Sequence, residues 1–316
     1  TNAGELIDDG VFTYEIYDDG TSVDYDGNVA MITGLSADIS TKKAVLNKSS
    51  ISMDGRDYTI EAINYNAFMN LVFVDEMDFS AAEHSIEVGY QAFYNAKSLK
   101  HVKFNEKAGW TMGYQSFAGA TNLEDIVITN DVQPSAFSGC TKLQDVGFTS
   151  GCTVIGDYAF ADCTGLKSLT LPKGDELTIY NNAFENSGLQ SLNIPSYSSF
   201  YIHEDAFNGS QLTNVVSYID WPGELHSDAF NGIPAEATLS VPYGTQYIYE
   251  YTTGWDHFYG HITEREWVAT DVQTVETSTS NTQEVYDLQG IRQNDLKKGL
   301  NIVHQADGTT RKVVIK

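Results

Sequence analysis

The residues with the best claim to chemistry are two histidines one repeat apart. His203 and His226 are each followed two positions later by an aspartate, Asp205 and Asp228. Imidazole nitrogen beside carboxylate oxygen is a donor set that suits a divalent transition ion. A metal centre normally wants three ligands and a defined geometry, however, and the same column holds glycine or a polar residue elsewhere, so no metal is assigned and the pair is expected to be surface. Asp24-Tyr-Asp26-Gly-Asn28 imitates the start of a calcium loop. Such a loop needs glycine at its sixth position and glutamate at its twelfth, where this chain has Val29 and Leu35, so a turn is expected. Three cysteines make a poor disulfide framework, and no pair has metal-ligand spacing. Cys140 and Cys163 occupy equivalent positions in consecutive copies and could approach bonding distance. Neighbouring copies place Ala or Ser there, so buried free thiols are expected; Cys152 falls in a loop.

No Gly-x-Ser-x-Gly elbow, phosphate-cradling glycine loop or His-Glu-x-x-His motif occurs. Carboxylates are plentiful, and a pair at glycosidase separation could arise by chance. On an open repeat surface it would stay hydrated, whereas electrostatic catalysis depends on a preorganised, water-poor site. The chain is expected not to be an enzyme and to need no cofactor.

Among 316 residues, 43 are acidic and 18 basic, a formal net charge of −25. That balance argues against a nucleic-acid backbone or an anionic membrane surface as partner. No apolar run is long enough to cross a bilayer as a helix. Nineteen tyrosines are present, and exposed tyrosine is a common contact residue. The chain begins Thr1-Asn-Ala-Gly-Glu, which is the start expected of a mature or trimmed chain.

The elements that must position these groups are written eight times. Each copy centres on a small residue and a phenylalanine: Ala67-Phe68, Ala92-Phe93, Ser116-Phe117, Ala136-Phe137, Ala159-Phe160, Ala183-Phe184, Ala206-Phe207 and Ala229-Phe230. Steps of 20 to 25 residues between them mean stacked repeats. Five residues before the Phe every copy is apolar (Ile63, Val88, Met112, Val132, Ile155, Ile179, Ile202, Leu225), so that column faces a core. Three residues after it lies a small slot: Ala96, Ala120, Cys140, Cys163, Ser187 and Ser210. A strand-like phrase follows, as in Leu99-Lys-His-Val102-Lys-Phe104 and Leu166-Lys-Ser-Leu169-Thr-Leu171. Its last apolar positions alternate with polar or small ones, the period-two pattern of a strand with one face inward. Stacked in register about 4.8 Å apart, eight rungs would make a rod roughly 35 Å long with each Phe packed on the next.

The phrases Leu166 to Pro172 (Leu-x-x-Leu-x-Leu-Pro) and Val154 to Leu166 (Val-Ile-Gly-Asp-Tyr-Ala-Phe-x-x-Cys-x-x-Leu) resemble the BspA-like leucine-rich repeat family over about 180 residues. The first copy departs from the pattern, running from Phe68 into Leu71-Val-Phe-Val-Asp-Glu-Met-Asp-Phe79. The resemblance implies an α/β leucine-rich-repeat solenoid, β-dominated and right-handed, of about eight rungs, with an N-terminal β cap and a small C-terminal β module. The expected divisions are residues 1–59 as the cap, 60–265 as the solenoid with its C-terminal cap, and 266–316 as a small β module or sorting tail. Short alternating runs and the turn pairs Asp18-Asp-Gly20, Asp26-Gly27 and Asp54-Gly55 support an all-β cap, which an open solenoid end requires. Leu239-Ser-Val241-Pro, a short helix over Gln246–Tyr251, and Trp255, Phe258 and Ile262 read as the closing cap. Thr274 to Thr282 reads as a linker. Three strands then follow, in 284–290, 296–303 and 311–316, with Asp307-Gly308 as a hairpin turn and a possible partner strand at Trp267–Val275. This tail, with Val285-Tyr-Asp-Leu-x-Gly290, is similar to the C-terminal sorting tails of Por-type secretion.

The outward residues of the leucine phrases are His101, Lys103, Asp125, Asp145, Ser168, Thr170, Ser191, Asn193 and Asn214. They form a small, polar row without an aromatic platform and are the candidate binding residues. The resemblance implies a secreted or outer-membrane-associated, non-enzymatic protein that adheres to a host or bacterial surface protein. The alternatives are a glycan partner, met by exposed Tyr and Trp, and a structural spacer. Neither nucleic acid nor membrane insertion is expected.

Overall fold

The computed structural model describes residues 6–17 and 27–265 and the strands Glu284–Tyr286, Arg292–Gln293, Gly299–His304 and Thr310–Ile315. The chain divides into two compact units, Thr1–Glu266 and Trp267–Lys316. The expected turn at Asp18–Gly20, the acidic turn at Asp24–Asp26, the linker, the Trp267–Val275 strand and the Asp307-Gly308 turn fall outside the described residues.

In the first unit two ladders of parallel strands run along a β-dominated solenoid of about eight turns. The first starts from an antiparallel meander of Leu6–Asp8, Phe12–Tyr17 and Val29–Leu35, then continues in parallel through Arg56–Ile63, Ile86–Val88 and Trp110–Met112. It resumes as Val154–Ile155, Glu176–Ile179 and Ser199–Ile202. The second ladder carries the leucine phrases. One five-stranded sheet runs from Lys43–Val45 through Glu76–Phe79, His101–Phe104 and Asp125–Ile128 to Asp145–Phe148. Another runs from Ser168–Thr170 through Ser191–Ile194, Asn214–Ser217 and Thr238–Val241 to Ile262–Glu264.

The irregular first copy is repaired by insertion. Residues 71–75 loop out, and Met77 and Phe79 then take the places of Val102 and Phe104 in register, both fully buried. The break in the first ladder follows the 20-residue step between Phe117 and Phe137. So short a copy leaves Val132 a single bridge, to Ile155, in place of a strand. Side chains supply the missing contacts. Thr129 Oγ1 accepts from Trp110 N–H at 2.7 Å and donates to Trp110 O at 2.9 Å, while Asp131 Oδ1 accepts from the amides of Thr153 and Val154.

Between the ladders the third side of each rung is a turn around the phenylalanine. Rings from Phe68 to Phe230 form an unbroken buried column, with centroids 4.6–5.5 Å apart between neighbours. Phe12 closes it edge-on at one end, 6.0 Å from Phe68, and Phe258 edge-on at the other, 4.8 Å from Phe230. Burying one such side chain contributes roughly 1.5–3 kcal/mol, and ring–ring geometry adds about 0.5–1.5. The amides of Phe68, Phe93, Phe117, Phe137, Phe160 and Phe184 each donate to the carbonyl just before the next ring in the column.

These turns need left-handed backbone at two fixed places. Two residues after the ring stand Asn70, Asn95, Gly119, Gly139, Asp162, Asn186, Gly209 and Gly232, all at positive φ. Two residues before it stand Asn66, Gln91, Gln115, Ser135, Tyr158, Asn182 and Asp205, also at positive φ. Asn, Asp and Gly dominate the first column because they enter that region at least cost.

The C-terminal end of the first unit is covered by a helix and a short aromatic segment. The helix spans Gln246–Glu250, and Trp255, Phe258 and Ile262 are buried against the last rung. Trp255 Nε1 donates to Gly223 O at 3.0 Å, and Arg265 donates to Ser240 O and Ser217 O. The three cysteines are free and buried. Cys140 and Cys163 donate instead to Phe117 O and Phe137 O, at 3.2 and 3.1 Å. Among its described residues the second unit holds a four-stranded antiparallel sheet in the order Arg292–Gln293, Glu284–Tyr286, Gly299–His304, Thr310–Ile315. Arg292–Gln293 is a fourth strand that its two residues gave no pattern to reveal.

Phe160→Ala, in mid-column, is expected to cost roughly 3–5 kcal/mol in urea unfolding, since rungs on both sides hold the cavity open. Burial pushes the Cys152 thiol up from 9.0 to about 12 and holds those of Cys140 and Cys163 high as well. The folded chain therefore keeps protons that the unfolded chain releases above pH 9, and stability should fall as pH rises from 9 towards 12. A thiol-reactive dye at pH 8 should label none of the three in the native chain and all of them in denaturant.

Candidate functional site: the outer row of the second ladder

The alternation that buries Val102, Ile126, Leu169 and Leu192 turns the residues beside them outward, so the candidate row lies across neighbouring strands. Lys103, Asp145, Ser168, Thr170, Asn193 and Asn214 are exposed, and His101, Asp125 and Ser191 half-buried. Parallel register sets them opposite one another. In one line run Lys43, Glu76, His101, Asp125 and Asp145. In the other sheet run Ser168, Ser191, Asn214 and Thr238, with Thr170 beside Asn193. The row thus falls into two parts, one ionic and one small and uncharged, divided where the ladder is interrupted.

The ionic part alternates between basic and acidic side chains for most of its length. Lys43 Nζ lies 2.7 Å from Glu76 Oε1, which raises the lysine and lowers the glutamate relative to their ordinary values. His101 Nδ1 lies 2.5 Å from Asp125 Oδ2. Burial pushes the Asp78 carboxyl upward, but hydrogen bonds from Ser80 and the cations Lys103 and Lys43 outweigh it and leave it lowered. The alternation fails at the last step, where Asp125 and Asp145 face each other as like charges. His101 serves the first, and no side chain among the described residues serves the second. In the neutral part Asn193 Nδ2 donates to Thr170 Oγ1 at 3.3 Å.

The two histidines singled out in the sequence are engaged otherwise. His203 stacks on Tyr180 at 4.6 Å, and burial holds its pKa below the ordinary value. His226 Nδ1 accepts from Asp228 N–H, and Asp205 Oδ1 accepts from Asn231. Among the described residues no group of three His, Cys, Asp or Glu side chains could hold a metal ion. The ring stack at His203 and the turn amide at His226 are what the repeat pattern did not reveal.

One exposed aromatic residue, Tyr218, borders the row, lining a depression with Thr170 and Asn193; others gather elsewhere. Tyr65, Tyr90 and Tyr114 recur three residues before the ring, at the corner where the first ladder enters the turns, and Tyr90 stacks on Tyr114 at 5.9 Å. A second group, Tyr247, Tyr251 and Tyr259, sits on the C-terminal cap with neighbouring centroids 4.9 and 6.2 Å apart. Trp221 is 79% exposed. The tyrosine spacing at the corner was available in the sequence, since it shares the period of the phenylalanines; the cap group comes together only through folding.

Among known proteins, the profile described as the BspA type leucine rich repeat region matches residues 61–176 and 130–252, in six copies. A leucine rich cell surface protein from Faecalibacterium prausnitzii A2-165 superposes with a TM-score of 0.53 at 21% identity, over 75% of this chain and 70% of that one. A leucine-rich repeat protein from Bacteroides ovatus superposes with a TM-score of 0.46 at 17% identity, over 75% of this chain and 65% of that one. At such identities the first likeness is one of fold. No curated protein matches the chain. Among the described residues no helix is long and apolar enough to cross a membrane.

Asp145→Asn should stabilise the chain by about 0.2–1 kcal/mol in urea unfolding, because it removes a like charge facing Asp125 across adjacent strands. A loss of stability would mean that Asp145 has a structural partner.

Proposed function

We propose that the chain, which belongs to the BspA-type leucine-rich repeat family, is a non-enzymatic interaction scaffold that adheres to a host or bacterial surface protein from a secreted or outer-membrane-associated position. The observation that carries this reading is the ordered ionic line Lys43, Glu76, His101, Asp125 and Asp145 on the outward face of a rigid sheet. Side chains held in register by backbone pairing lose little freedom when a partner arrives, so many modest polar contacts can add. A row that alternates basic with acidic side chains also selects for a complementary pattern rather than for bulk charge.

A glycan partner is the second reading, favoured by Tyr247, Tyr251 and Tyr259 on the C-terminal cap. The corner stack favours it less. Rings nearly parallel and 5.9 Å apart turn part of their faces to each other, and a sugar needs an open face. The C-terminal strands, with their likeness to sorting tails, are in keeping with export.

The test is binding of the full chain to immobilised extracellular-matrix proteins and to polysaccharides at two salt concentrations. The expected result is saturable binding to a protein that weakens as salt rises and that a double Asp125→Asn, Asp145→Asn chain weakens about tenfold. Saturable binding to a polysaccharide, abolished by Tyr251→Ala and Tyr259→Ala and indifferent to the aspartates, would establish the glycan reading instead. Silence on both panels would leave a structural spacer.

A further inference from the structure

The second ladder is interrupted once, between Asp145–Phe148 and Ser168–Thr170. On the far side of the rungs contact is kept. The rings of Phe137 and Phe160 stay 5.3 Å apart, Phe137 N–H donates to Ala159 O, and Val132 bridges Ile155. The rungs are therefore held together at their turns and parted at their outward sheet, leaving two strand edges without a neighbour.

Three features make this opening a place for a ligand. The inward residues Val146 and Phe148 are only partly covered, whereas Ile126, Ile128, Leu169 and Leu171 on either side are buried. An open depression of about 430 Å³ lies there, with Asp125, Val127, Asp145, Gly147, Ser168 and Thr170 in its lining. Its floor has no side chain at Gly147, where the other phrases carry Lys103, Val127, Thr170, Asn193 or Val216. A Cβ at Gly147 would meet nothing nearer than Val127 Cγ2 at 3.8 Å, so the backbone is accessible without being strained.

We propose that this opening is the docking trough for an extended, lysine-bearing strand of the protein partner. The strand hydrogen-bonds the free edge of Asp145–Phe148, lays an apolar side chain over Val146 and Phe148, and sets an ammonium against Asp145. The proposal rests on the protein-binding reading above and specifies how that partner is held. A free strand edge is a template for another chain, main-chain bonds supplying affinity and alternate side chains specificity. The charge of the occupant follows from the surroundings. Asp145 is exposed with no partner among the described residues, Asp125 lies on the next strand, and the chain carries −25 in all. The same figure argues against a second copy of this chain as occupant.

The experiment is a fluorescence-anisotropy titration of the full chain with a labelled, N-acetylated octapeptide of alternating valine and lysine. Controls are the same peptide N-methylated on alternate amides in each of the two registers, and a version with glutamate for lysine. Saturable binding is expected, weakened about tenfold or more by one N-methylated register and by glutamate. Gly147→Thr, which has room for its side chain, should weaken binding to a similar degree while leaving the unfolding midpoint unchanged. No saturable binding overturns the proposal. Binding indifferent to N-methylation overturns it too, and identifies an acidic surface that attracts any cation. Should Gly147→Thr bind the matrix-protein panel as well as the parent, the trough falls and the protein reading stands. Should the octapeptide bind as expected while no protein on the panel does, the adhesion reading falls and the trough stands.

Discussion

Everything in the first unit depends on one spacing, the rise between successive rungs. Backbone hydrogen bonds fix it near the distance at which two aromatic rings stack, so the same repeat satisfies amides and packs phenylalanines. Neither would suffice alone. A turn carrying left-handed residues at two places is costly in isolation, and a lone ring has nothing to lie against. Stacking makes each rung the support for its neighbours' turns, which is why the column from Phe68 to Phe230 is unbroken although both strand ladders are interrupted. The ends are closed by rings set edge-on, Phe12 and Phe258, which cover the last faces without extending the stack.

That division of labour frees the outward face of the second ladder. Its inward neighbours hold the strand, and its outward positions vary without touching the core. The result is a surface whose composition changes along the axis, ionic over the first strands and uncharged over the later ones. Juxtaposed Asp125 and Asp145 run against stability, a cost that a purely structural face would have little reason to retain. Among the described residues no comparable chemistry gathers at the histidines, whose rings are committed to stacking and to turn amides.

Much of this was legible in the sequence, and the parts that were not have identifiable causes. The Phe, the apolar column from Ile63 to Leu225 and the small slot from Ala96 to Ser210 recur at one period, so the repeat and its core could be read directly. The outward row could be placed because alternation leaves no other face for it. The left-handed column, rich in Asn and Gly, had an equally periodic signal in Asn70, Asn95, Gly119 and Gly139, and is intelligible once the turn is seen to need positive φ. The interruption after Phe148 was not legible. Leu143 to Phe148 has the same pattern as its neighbours, and pairing depends on how the rungs splay. Substitutes such as Thr129 for a missing strand likewise arise only when the short copy meets Trp110 in space.

The amides in the turns carry one further property. Those of Asn66, Phe68 and Asn70 donate to carbonyls of the next rung, as do those of Gln91, Phe93 and Asn95 to the rung after it, always towards the C-terminal side. Where the rungs leave the turns the sense reverses: the amides of Gly89, Gly113, Gly156 and His203 donate back to Ile63, Val88, Val132 and Ile179 of the preceding rung. Each rung is therefore tied to its neighbours by hydrogen bonds that point forwards at the phenylalanine and backwards at the ladders, so peptide dipoles along the axis oppose one another, as they nearly do in a sheet. A rung can then be added or lost without building up charge at either end of the stack.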